Sequence, residues 1–444
     1  MPLRYTVPLV MTLWVHKLFS IKIPAFRGTH KPGLTISLAI VLSAGAAAVH
    51  AAETLGEALV SGSFGLDVRA RHEMVDQDSF ERRAVANTVR TRITYESGSW
   101  HGASALIEAE NIAALGDDRF NDGINRRSDF PIVRDAPNTE LNQYWLRLAL
   151  PGTGALKLGR QTIDLGARTF VASARFRQNQ QTYDAATITV RPLPDVTAFY
   201  GFTWMIDRTA GEDAVGGDWN TATHMAHLAY DGLAPIKLVG YAMAMDFDER
   251  PRLSSITAGA RLDARVSLSG TLDLIAGGEL AWQTNHADNL DDFDEFLTIA
   301  EAGLGIAGLA AIVGYRRQSG NGAAALQTTL GVKHYNRGWA DKFSVTPLRG
   351  LVDTYADVTI ELPDLVMFDF ADAARSWLDR TRIRAAYHRF SADGLGSGYG
   401  EEFDIGIRQR VGGPVEFLLE YADYRAKGLG ADTRKMWVTL QFKL

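Results

Sequence analysis

The 444-residue chain has no cysteine, which excludes disulfides and thiolate metal sites. Beyond residue 51 it has no apolar run near the ~18–20 residues that a membrane-spanning helix needs. It also lacks a Gly-x-Ser-x-Gly elbow, a His-Glu-x-x-His helix and a phosphate-cradling loop. His388, Ser391 and Asp393 are close in sequence, but successive side chains on a strand point to opposite faces, so the three would not converge. Neither an enzyme nor a cofactor is expected, and a barrel-embedded hydrolase is the least favoured reading. Acidic residues are missing from the first 51 positions, which carry Arg4, Lys17, Lys22, Arg27 and Lys31, then an apolar run from Leu34 to Val49. With the small residues of Val49-His50-Ala51, this pattern predicts a signal peptide over residues 1–51 and a single domain over residues 52–444. With five of the 46 basic residues in that leader, 41 remain against 52 acidic ones, a net charge of −11. An acidic chain of this kind argues against nucleic acid as a partner.

What is present is alternation. Met436, Val438, Leu440, Phe442 and Leu444 share one parity, while Lys435, Trp437, Thr439, Gln441 and Lys443 share the other. A strand presents alternate residues to opposite faces, so this segment has one apolar and one polar face. Ile256, Ala258, Ala260, Leu262 and Ala264 alternate with Thr257, Arg261, Asp263 and Arg265 in the same way. The rhythm repeats along the chain, with tight Gly/Pro turns and long polar loops in turn. It predicts an all-β fold, a transmembrane antiparallel up-and-down β-barrel of about 18 strands with short periplasmic turns and long extracellular loops. Arginine at Val438 or Leu440 is expected to cost far more than arginine at Thr439. Pro363–Trp377 breaks the rhythm, and its apolar spacing suits a short helix as well as a plain turn. No globular plug precedes the first strand, so a receptor-type transporter is not expected. The acidic run Asp288–Glu295 lacks EF-hand spacing and reads as a solvated loop.

Several stretches resemble the alginate-export family of outer-membrane proteins. They are Leu158-Gly159-Arg160-Gln161 with Gly166, and Phe176-Arg177-Gln178-Asn179 with Thr182-Tyr183-Asp184. The run His334-Tyr335-Asn336-Arg337-Gly338-Trp339-Ala340-Asp341-Lys342-Phe343 follows, then Tyr399-Gly400-Glu401-Glu402-Phe403-Asp404 and Tyr421-Ala422-Asp423-Tyr424. The resemblance runs from about Leu66 to the C-terminus. It implies one large barrel in the outer membrane of a Gram-negative bacterium, in a family of which some members export an anionic polysaccharide.

The inward parity supplies the candidate site. Its arginines are Arg69, Arg71, Arg90, Arg92, Arg147, Arg380, Arg382, Arg384, Arg408 and Arg410; its acids include Asp353, Asp357, Glu402 and Asp404. Arginines cluster on strands flanking the closure, and Asp353 and Asp357 are expected several strands away, so that facing charges set a field across the pore. Glu402 and Asp404 are alternatively expected to pair with the arginines. Arg160 falls on the lipid parity, so it lies above the membrane or is re-aimed by a bulge. The loops Asn111–Asn138 and Ser319–Leu348 are long enough to fold over or into the pore. The expected function is a pore for polar, anionic solutes, most specifically an acidic polysaccharide, with a general diffusion porin as the alternative. The expected partners are outer-membrane lipid and lipopolysaccharide, an anionic saccharide or small-solute cargo, and periplasmic export proteins.

Overall fold

The computed structural model describes residues 52–444 except 117–118, 153, 363–379 and 395. The predicted signal peptide and the helical spacing within 363–377 lie outside the described residues. A six-residue helix, α1 (Leu55–Val60), precedes the first strand and is closed by a capping box between Thr54 and Glu57. Eighteen strands follow. The first six are β1 (Ser63–Gln77), β2 (Ala84–Glu96), β3 (Ala103–Ala114), β4 (Asn138–Leu150), β5 (Gly154–Gln161) and β6 (Thr182–Leu193). The middle six are β7 (Val196–Asp207), β8 (Asp218–Leu233), β9 (Ile236–Met245), β10 (Ser255–Ser267), β11 (Leu272–Asn285) and β12 (Asp294–Ile306). The last six are β13 (Leu309–Gln318), β14 (Leu351–Glu361), β15 (Thr381–Ser391), β16 (Gly398–Gly412), β17 (Val415–Ala426) and β18 (Thr433–Lys443).

Every strand is antiparallel to its neighbours, and β1 pairs with both β2 and β18. Val68 lies opposite Phe442, and the main chains of Leu66 and Leu444 exchange hydrogen bonds of 3.2 and 2.8 Å. The sheet therefore closes without an edge, which is what backbone polar groups require in hydrocarbon. Alternation decides which face meets it. On β18, Trp437 and Thr439 are buried while Leu440 is 51% exposed. Leu146, Leu280 and Val313 are likewise more than 60% exposed and lie on the outer parity of their own strands. So much outward leucine and valine suits a lipid-facing band.

Two of the long loops fill the barrel instead of leaving it. Residues 162–181, between β5 and β6, send Ile163, Phe170 and Val171 into a cluster with Tyr183, Ile206, Met225, Met243 and Leu297 of the wall. Residues 319–350, between β13 and β14, add Leu326 and Leu330 to that cluster. The same loop packs Trp339 and Phe343 against Phe390, Tyr399, Tyr424 and Trp437 on the far arc. The two loops touch inside the barrel, where Val171 and Leu330 form a parallel bridge and Ala172 N–H donates to Leu330 O at 3.0 Å. Residues 115–137 contribute a third cluster through Phe120, Phe130 and Val133.

Candidate functional site

The lumen is built by strand faces and by what the inserted loops cover. The arginines of β1 and β2 lie beneath the 162–181 loop. Arg69 donates to the carbonyls of Arg175 and Arg177 at 3.1 and 3.3 Å, and Arg71 to that of Phe176 at 2.7 Å. Arg90 meets Asp67 at 2.8 Å, and Arg92 meets Glu110. Arg71, Arg90 and Arg92 are all less than one-tenth exposed. These side chains fasten a loop and neutralise buried acids; they are not spread along an open path.

Arg177, in that loop, joins the two insertions. It contacts Glu73 of β1 at 3.2 Å and Asp341 of the 319–350 loop at 3.0 Å. Asp341 also faces His334 at 3.3 Å and Lys435 at 3.8 Å. Burial opposes its ionisation, but His334, Lys435 and Arg177 outweigh burial and hold the carboxyl well below the usual carboxylate range. Phe176 stacks on His334 with ring centroids 3.4 Å apart. The Phe176-Arg177-Gln178-Asn179 run is the one sequence signal in this loop that it has a fixed place.

Glu402 and Asp404 do not pair with the arginines of β15. They accept backbone N–H groups of the 319–350 loop, Ala340 at 2.7 Å and Trp339 at 3.3 Å. Gly338, at φ +77°, passes so close that a Cβ there would lie 2.6 Å from the Glu402 carboxylate. Asp353 lies fully buried against His388 Nδ1 at 3.0 Å. Asp393 pairs with Arg317 at 2.7 Å, so His388, Ser391 and Asp393 form no joint site.

The expected separation of charge across the lumen is not found at β14. Asp357 accepts from Arg384 at 2.6 Å and Glu361 from Arg382 at 3.1 Å. β14 and β15 are adjacent, so acids and arginines expected on opposite walls are neighbours. Arg160, at the extracellular end of β5, keeps the parity of its cross-strand partners Tyr144 and Asp184. It is buried between Asp184 at 2.9 Å and Asp207 at 3.2 Å. Arg147 lies directly opposite Lys157, whose ammonium rests 4.3 Å from the Trp145 ring.

A less covered group remains at the end of the short turns. Arg382, Arg408 and Arg410 have side chains 49%, 44% and 72% exposed. Arg408 and Arg410 share one carboxylate, Glu416, at 3.7 and 3.9 Å. Arg384 lies deeper on the same face, and Arg380 is exposed just before β15. Among the described residues no group of three or more histidine or acidic side chains converges as a metal site. Asp291 of the acidic loop pairs with Arg252 at 3.2 Å.

A closed eighteen-strand barrel with an apolar outer band and loops packed into a charged lumen is an outer-membrane pore of the porin class. Residues 60–332 match the family described as Alginate export. The chain belongs to that family, and its place is the outer membrane of a Gram-negative bacterium. No curated protein sequence matches it. Among solved structures, OccK9 (OpdG) of Pseudomonas aeruginosa is similar at 15% identity and a TM-score of 0.69, over 87% of this chain and 99% of that one. OpdK of the same organism, crystallised with vanillate, gives 14% and 0.67 over 87% and 99%. OccAB2 of Acinetobacter baumannii gives 13% and 0.67 over 88% and 100%. At these identities the likeness establishes the fold alone.

Proposed function

We propose that the pore carries anions, and that its most specific cargo is an acidic, uronate-bearing polysaccharide entering from the periplasmic mouth. The observation that carries this is the shared Glu416: one carboxylate faces two half-exposed guanidiniums, at the end where the turns are short. Exposed ion pairs are worth only about 0–1 kcal/mol, so a substrate carboxylate can replace Glu416 or Glu361 at little cost. The planar guanidinium binds two carboxylate oxygens at once and stays charged at any working pH. The family name supports the saccharide. A second reading is a path for small carboxylates, favoured by the two packed loops that narrow the lumen.

The separating experiment is single-channel recording with oligouronates of increasing length added to the periplasmic side. Export of a polymer predicts block that strengthens with length and weakens at least tenfold in a combined Arg382, Arg408, Arg410→Gln variant. Block by monomeric carboxylates with no dependence on chain length would favour the second reading. Indifference of both proteins to every carboxylate would remove the anion reading itself.

A further inference from the structure

Buried arginines of the wall face carboxylates, as Arg90 does Asp67 and Arg160 does Asp184. Three basic side chains near the place where the two inserted loops touch do not. Arg208 directly follows β7 at its extracellular end, and Lys333 lies in the 319–350 loop. Both donate to the carbonyl of Thr329, at 3.5 and 2.8 Å, and Lys333 donates also to that of Gly331 at 2.9 Å. Arg337 lies one turn further on, its backbone N–H donating to Lys333 O at 3.0 Å. Its guanidinium meets the Thr328 hydroxyl at 2.9 Å and Gln318 Oε1 at 3.0 Å. Among the described residues none of the three pairs with a carboxylate. Asp341, the acid that acts on both Lys333 and Arg337, is itself held by Arg177 and His334.

We propose that Arg208, Lys333 and Arg337 form an anion site, which takes one small oxyanion and ties the 319–350 loop to the end of β7. Carbonyl and hydroxyl oxygens carry only partial charge, so three deep cations around Thr328–Gly331 repel one another until an anion answers them. Donors for it are present. The Arg208 guanidinium lies 4.2 Å from the Trp219 ring, and its Nε and Nη2 make no hydrogen bond. Lys333 has used two of its three N–H donors. Both side chains are partly exposed, so the site opens to water. An oxyanion sets one oxygen on the guanidinium edge and another on the ammonium, in charge-assisted bonds. Chloride offers no such pair of oxygens. Burial, Arg208 and Arg337 push the Lys333 ammonium well below the usual lysine range. A bound anion favours the charged form, so binding weakens as pH rises. Once filled, the group is neutralised, and selectivity rests with the periplasmic mouth.

Amide exchange of the intact barrel over residues 328–337, at constant ionic strength, tests this. Sulfate at about ten times its dissociation constant should slow exchange about tenfold relative to chloride, and the ratio should shrink from about pH 6 to about pH 9. Lys333→Gln and Arg208→Gln, each with normal heat-modifiable migration, should abolish the difference. The combined Arg382, Arg408, Arg410→Gln variant should keep it, which separates this site from the mouth. Galacturonate in place of sulfate tells a cargo carboxylate from an inorganic ion, and protection by either upholds an oxyanion site. Anomalous diffraction from wild-type crystals grown with selenate keeps the test open if the variants misfold; the selenium should lie between Arg208 and Lys333. The proposal is overturned if neither oxyanion protects wild type more than chloride does, or if both single variants still respond. Selenate bound elsewhere, or nowhere, overturns it equally.

Discussion

Arg92 and Arg382 both lie on the inward parity of their strands, yet their surroundings separate them. Arg92 is buried beside Glu110, whose side chain is fully covered, whereas Arg382 and Glu361 are each nearly half exposed. Removing one member of a buried pair strands the other charge and costs about 3–5 kcal/mol; an exposed pair is worth about 0–1. Arg92→Gln should therefore lower stability several-fold more than Arg382→Gln in urea-induced unfolding from lipid vesicles, and equal losses would contradict the division. Asp341 gives a pH prediction. A carboxyl held below its ordinary value of about 3.9 stabilises its folded surroundings fully above that value, and loses the contribution as pH falls through the depressed one. The Arg177–Asp341 clasp should thus be undiminished between pH 7 and about pH 4. Amide exchange of residues 334–343, corrected for intrinsic rates, should show constant protection over that range, whereas Asp341→Asn should lose protection throughout. A wild-type protein unclasping near pH 6 would contradict this.

At the level of elements, the period-2 pattern carried most of the fold. It placed all eighteen strands and their long-loop, short-turn order, because a lipid-facing side chain and a lumen-facing one are chemically unlike at nearly every step. The Leu440→Arg variant should cost about 2–4 kcal/mol near mid-membrane, measured by refolding into vesicles. The expected tolerance at Thr439 no longer holds, since that residue is buried and accepts from Arg71 Nε at 3.2 Å. α1 has only the Thr54-x-x-Glu57 capping box as a sequence signal, because six residues give no periodicity to read. The inward course of the 162–181 loop was hidden for another reason: its anchors are carbonyl groups and charges on distant strands, which no local pattern records. Charge segregation failed similarly, as parity fixes the face of Asp357 but not its distance from Arg384. Gly338 offers a test of loop placement. Gly338→Ala puts a Cβ against Glu402 at a φ that favours glycine, so the 319–350 loop should lose its seat. Single-channel conductance should then rise or become noisy, while an unaltered trace would contradict the anchoring.

For the whole molecule, the balance between the wall and its insertions sets what passes. Buried ion pairs hold the two loops in the lumen, and the weakly paired Arg382, Arg408 and Arg410 are left at the periplasmic mouth. Net charge along the whole chain is acidic, so any anion preference must come from that local group and not from the protein's average field. The reversal potential of purified protein in a planar bilayer under a salt gradient measures this most directly. The expected potential has the sign set by the anion and moves toward the cation value in the Arg382, Arg408, Arg410→Gln variant. A cation-selective wild type, or a normally folded variant with unchanged selectivity, would contradict it.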